Sequence, residues 1–104
     1  MKSELLSIDN IFEEVRDKVI YIKFKDLGIP KDATKWVRSY LRRTILENGL
    51  KEPIYVDGHR NGIFDVYDGN NRINCLQDII PNIDELEIPC IIGNHDEWDD
   101  KIYS

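Results

Sequence analysis

At 104 residues and 41% hydrophobic composition, the chain is long enough for one small core and too short for a second. A net charge of −6 and a sequence pI near 4.8 argue against a general DNA binder, which needs excess Lys and Arg to displace counterions. Only Cys75 and Cys90 are present, at a spacing that fits neither a zinc nor a redox motif; both fall in apolar stretches and read as buried free thiols of a reducing cytoplasm. Met1 to Leu6 holds no long apolar run, so no signal peptide is expected, and no stretch is long and apolar enough for a transmembrane helix.

In chain order, Ser7 to Lys18 reads as a short helix with Ile8, Ile11, Phe12 and Val15 on one stripe and Glu13 and Glu14 near its front. Val19 to Phe24 switches to strand character, and Lys25 to Lys31 is a loop broken by Gly28 and Pro30. Asp32 or Thr34 can cap the longest helix, Ala33 to Glu47, whose buried stripe is expected to be Trp36, Val37, Tyr40, Leu41 and Leu46. Lys35, Arg38, Arg42 and Arg43 lie largely off that stripe, as a solvated face or as a docking face for an anionic partner. Gly49 ends the helix.

Pro53 to Asp57 and Ile63 to Tyr67 form a hairpin around the flexible tip Gly58 to Gly62. The next helix runs from about Asn71 to Ile79 or Ile80, carries Ile73, Leu76 and Ile80 at helical spacing, and stops at Pro81. Asn82 to Glu87 is an acidic loop and Ile88 to Ile92 a last, buried strand. From Gly93 the composition turns acidic; residues 94–104 read as a tail on a 19–93 core, free or pinned by Trp98, Ile102 and Tyr103. The expected fold class is α/β or α+β, a small mixed sheet covered by helices in a single domain.

The stretch with chemical content is Asp68-Gly69-Asn70-Asn71-Arg72, between a strand and a helix. Asp-Gly is a turn signal, and Asn70 and Asn71 are residue types that cap helix starts. A helix N-terminus aims unpaired N–H groups and a positive dipole end outward, and an arginine beside them adds a planar donor fork. This arrangement suits an anion, most often phosphate. The bland alternative is an ordinary turn with Arg72 on a surface carboxylate.

The flanks carry a resemblance. Upstream stands Gly49-Leu50-Lys51-Glu52-Pro53-Ile54-Tyr55-Val56, downstream Ile88-Pro89-Cys90-Ile91-Ile92. The order helix, Gly-Leu-x-x-Pro-Ile-x-Val, hairpin, Asp-Gly-x-x-Arg, helix, Ile-Pro-x-Ile-Ile resembles the ParB/sulfiredoxin superfamily over roughly Val19 to Gly93. The resemblance implies that Gly69, Asn70, Asn71 and Arg72 bind the phosphates of a nucleotide (ATP, ADP or CTP), with Mg²⁺ as a candidate companion. Sulfiredoxins carry a cysteine where this chain has Asn70, so sulfur-repair chemistry has no nucleophile here. The Gly-Glu-Arg-Arg of ParB proteins is matched only at Gly69 and Arg72, and no helix-turn-helix follows. The nearest turn pattern is the Asp-Gly-His-His-Arg of the free-serine-kinase branch, matched at Asp68, Gly69 and Arg72. That branch has an upstream Pro-x-Glu whose glutamate acts as base; Pro30-Lys31-Asp32 stands in its place, which makes Asp32 either a base with a shorter arm or a plain helix cap. Asp68 is a second candidate for catalysis: it can orient the turn, bind Mg²⁺, or make an Asx-turn.

Gly93-Asn94-His95-Asp96 and Asp57-Gly58-His59 mimic metallophosphoesterase blocks, but the further ligands of a two-metal site are missing, so no metal centre is expected. The primary functional expectation is nucleotide binding, extending to hydrolysis or phosphoryl transfer. The competing one is a non-catalytic acidic module of phage or mobile-element type that docks on a nucleic-acid-binding enzyme. Nucleotide and protein partners are thus both open, while a membrane partner and direct DNA binding are not expected.

Overall fold

The computed structural model describes residues 4–29, 39–58 and 61–93. These form a mixed α+β fold around a five-stranded sheet. The strands are β1 (Ile20–Lys23), β2 (Leu27–Gly28), β3 (Ile54–Asp57), β4 (Phe64–Asp68) and β5 (Glu87–Gly93); the helices are α1 (Glu13–Arg16), α2 (Ser39–Asn48) and α3 (Asn70–Ile79). The sheet order is β1-β5-β3-β4-β2. β5 runs antiparallel to β1 and parallel to β3, β4 is antiparallel to β3, and β2 is parallel to β4. No helix among the described residues is long and apolar enough to cross a membrane.

The core sits on the β3–β5 seam. Ile54, Val56, Ile88 and Cys90 are fully buried there, with Ile73, Cys75 and Leu76 of α3 packed on them. β5 is apolar almost throughout because it is covered by β1 on one side and β3 on the other. Pro89 is tolerated within it because it faces Tyr21 of β1, while the register with β3 begins only at Cys90. Both cysteines are buried free thiols, as their surroundings in the sequence suggest. Burial pushes the Cys90 thiol up to about 12, so it stays protonated and chemically quiet.

Several expectations need correction. The helix expected over Ser7 to Lys18 is instead a three-residue 3₁₀ turn (Ile8–Asn10) and the single turn of α1, with a further 3₁₀ turn (Glu4–Leu6) ahead of them. The break lies at Ile11 and Phe12, both extended, where the Phe12 N–H donates to the Lys51 carbonyl at 3.0 Å instead of continuing a helix. Ile11 is buried but Phe12 is 49% exposed, so the expected stripe is split. The expected loop after β1 contains a 3₁₀ turn (Phe24–Asp26) and the two-residue strand β2, too short to show any period in the sequence.

The described part of the long helix is α2, and its buried face is rotated from the expected one. Ile45 is 2% exposed and Leu41 half-buried, an i, i+4 pair, whereas Tyr40 is 75% exposed and Leu46 also faces out. The face is set by α3, against which α2 packs and to which the Arg42–Asp78 ion pair ties it. Arg42 therefore belongs to a helix–helix contact, Arg43 is exposed, and Lys35, Arg38, Trp36 and Val37 lie outside the described residues. The tail, residues 94–104, also lies outside them.

Gly49 does end α2: at φ +76° its N–H donates to the Ile45 carbonyl at 2.8 Å, a left-handed C-terminal cap. The next residue, Leu50, is fully buried and donates its N–H to the Leu5 carbonyl at 2.7 Å. The N-terminal segment thus braces the linker between α2 and β3 at Leu50 and again at Lys51.

Candidate functional site

The β4–α3 turn is built as its sequence suggests, with one change at the cap. β4 skips a residue in its pairing with β3, so Tyr55 faces Asp68 and Val56 faces Val66. This irregularity twists the end of β4 and re-aims the chain just before the turn. Gly69 follows at φ 112°, ψ 17°, a conformation that strains any residue with a Cβ. It occupies the N-cap position and has no side chain to offer. Asn70 and Asn71, expected as caps, are instead the first two residues inside α3. The first intrahelical bond runs from the Ile73 N–H to the Gly69 carbonyl at 2.9 Å. Helix geometry leaves the N–H groups of Asn70, Asn71 and Arg72 without an intrahelical acceptor.

Although it comes just before buried Ile73, the Arg72 side chain folds back over the turn and is only 13% exposed. A Cβ added to Gly69 would lie 2.9 Å from Arg72 Nη2 and 3.3 Å from Nε, so the guanidinium rests directly on the glycine. Its partners explain the direction. Arg72 Nη1 meets Glu52 Oε2 at 2.5 Å, and Nη2 stands 3.9 Å from Asp68 Oδ2, one helical turn back. The carboxylate-paired alternative for Arg72 is thus what the turn adopts. The guanidinium is still not fully used: Arg72 Nε is buried and makes no hydrogen bond among the described residues. The same holds for Asn70 Oδ1. Buried polar atoms without partners are rare enough to mark a place where something else binds or moves.

The turn forms one wall of a cleft of about 630 Å³. Leu41, Thr44 and Ile45 of α2, the linker from Gly49 to Glu52, and Phe12 line it as well. The lining combines apolar side chains with helix-start N–H groups, two cations, Lys51 and Arg72, and two carboxylates, Glu52 and Asp68. Lys51 and Glu52 were overlooked in the sequence because they occupy the unspecified positions of Gly-Leu-x-x-Pro. The signal that could have found them is their place in a tight linker between two buried residues, Leu50 and Pro53. Tyr55 lies beside this charged group; burial raises its phenol above the usual value, Glu52 and Asp68 add to the rise, and Arg72 opposes it.

Of the two carboxylates proposed for catalysis, Asp68 lines the cleft and Asp32 lies outside the described residues. Among the described residues no group of three or more His, Cys, Asp and Glu side chains is arranged to hold a metal ion, and His59 and His95 lie outside them. The chain matches no protein-family model and no curated protein.

Proposed function

We propose that the protein binds a nucleotide through its phosphates, in the cleft between α2 and the β4–α3 turn, as a domain of ParB/sulfiredoxin type. One observation carries the reading. Of the three segments behind that resemblance, the first part of one, Gly49 to Glu52, and the whole of another, Asp68 to Arg72, are separated by a hairpin in sequence and line the same cleft. The cleft also supplies what a phosphate ester needs: N–H groups at a helix start, an arginine with a spare buried donor, a lysine, and an apolar wall for the organic part.

In this reading the backbone N–H groups of Gly69, Asn70 and Asn71 cradle the anion and Arg72 clamps it. Mg²⁺ would ride in on the nucleotide, with Asp68 a carboxylate of the cleft to receive it. Phosphoryl transfer would further require a base at the acceptor hydroxyl, the role the resemblance gives Asp32. A thermal-shift panel of ATP, ADP, CTP and inorganic phosphate, each with and without Mg²⁺, tests the proposal, because a ligand that binds only the folded state raises its melting point. At least one nucleotide should do so. A flat panel would hand the function to the acidic docking alternative.

A further inference from the structure

We infer that Glu52 is an internal stand-in for the ligand's phosphate: it holds the Arg72 fork in the empty site and must let go when an anion binds. The inference rests on the anion-binding reading above and adds how that site is regulated.

Three features of the pair lead to it. The first is need. Arg72 is 13% exposed and wedged over Gly69, and a charge so far out of water requires an anion beside it. Glu52 meets that need at 2.5 Å, while Asp68 at 3.9 Å is a weaker second. The second is asymmetry. The Glu52 side chain is 52% exposed, so it can swing into solvent at little cost, whereas Arg72 cannot follow without leaving its seat on the turn. The member of the pair that can move is the carboxylate. The third is the unfilled donor. Glu52 engages Nη1 and leaves the buried Nε without a hydrogen bond, so a carboxylate on one nitrogen is a poorer match for the fork than a phosphate with three oxygens.

Competition follows from this arrangement. A phosphate entering the cleft displaces a carboxylate already in contact with its main cation, and it meets repulsion from that carboxylate as it arrives. The wild-type site therefore binds anions more weakly than its donors allow, and in return the empty protein is held together. Glu52→Gln keeps the size and a hydrogen-bonding group while removing the competing charge.

The test is a calorimetric titration of wild type, Glu52→Gln and Glu52→Ala with ATP and with inorganic pyrophosphate, in EDTA to exclude divalent cations, alongside melting curves of each protein. Both variants should bind roughly ten- to a hundredfold tighter than wild type. Each should melt lower than wild type when empty and show a larger rise on adding pyrophosphate. Equal affinity in all three proteins overturns the role of Glu52 and leaves the anion site standing. Weaker binding by the variants also overturns it, and makes Glu52 a contact to the ligand. If none of the three binds either probe, the anion site itself is wrong and this inference falls with it.

Discussion

The β3–β5 seam and the β4–α3 turn lie side by side in the fold and handle polar groups in opposite ways. At the seam β5 is paired with a strand on each edge, Ile54, Val56, Ile88 and Cys90 are fully buried, and even the Cys90 thiol donates to the Ile88 carbonyl at 3.2 Å. At the turn Gly69 holds a positive φ that only glycine adopts without strain, two buried side-chain atoms have no partner among the described residues, and the mostly buried Arg72 guanidinium leans on a half-exposed carboxylate. A saturated region has nothing left to offer a ligand. An under-satisfied one does, and it depends on its saturated neighbour to hold it in place.

If that division is right, the largest stability loss should come from the seam and leave binding alone. Ile88→Ala, at a fully buried position, should cost about 2–5 kcal/mol in urea unfolding while the folded fraction keeps wild-type nucleotide affinity. A parallel loss of affinity would mean that the two regions are not separable. Gly69→Ala should cost less, about 1–3 kcal/mol, because it forces a Cβ into a positive-φ position and against both Arg72 and Ile54. Unlike the seam mutation, it should also weaken nucleotide binding by pushing the guanidinium off its seat. A Gly69→Ala protein as stable and as competent as wild type would contradict the turn geometry.

The smallest effect concerns neither region and serves as a control. Lys25, and then Lys23, hold the Glu85 carboxyl below its usual range through hydrogen bonds at the exposed surface. A lowered carboxylate pKa stabilises the fold above the unfolded value, about 4.3, and that contribution is lost as pH falls through the lower folded value. Melting points of wild type and Glu85→Gln should thus differ slightly near neutral pH and converge in acid, and the gap should shrink with salt. A gap that persists in acid would assign the effect to packing.

What could be read from the sequence follows the same division. Ile88 to Ile92 announced a strand through its unbroken apolar run, and Ile88 to Ile91 are buried, but Ile92, expected to be buried with them, is 44% exposed. Asp68-Gly69 announced the turn because only glycine suits that backbone, and Gly49 announced a helix end for the same reason. The features that stayed hidden depend on partners distant in sequence. Glu52 meets Arg72 across an intervening hairpin, and no local pattern at Arg72 predicts a buried rather than an outward side chain. Tyr40, Leu41, Ile45 and Leu46 offered two plausible apolar faces, and only packing against α3 selects Leu41 with Ile45. The N-terminal stripe was equally misleading, because the Phe12 N–H is taken by the Lys51 carbonyl rather than by a helix.

Arg72 is where the account is most exposed. Titration of wild type and Arg72→Ala with ATP, ADP, CTP and inorganic phosphate, each with and without Mg²⁺, tests it most directly. Binding should be seen for wild type and fall by about ten- to a hundredfold in the variant, the value of a charge-assisted contact. Because the arginine is mostly buried and ion-paired, the variant should lose about 1–2 kcal/mol of stability yet still unfold cooperatively. A folded Arg72→Ala protein that binds as tightly as wild type, or a wild-type protein that binds none of these anions, would contradict a phosphate site at this turn.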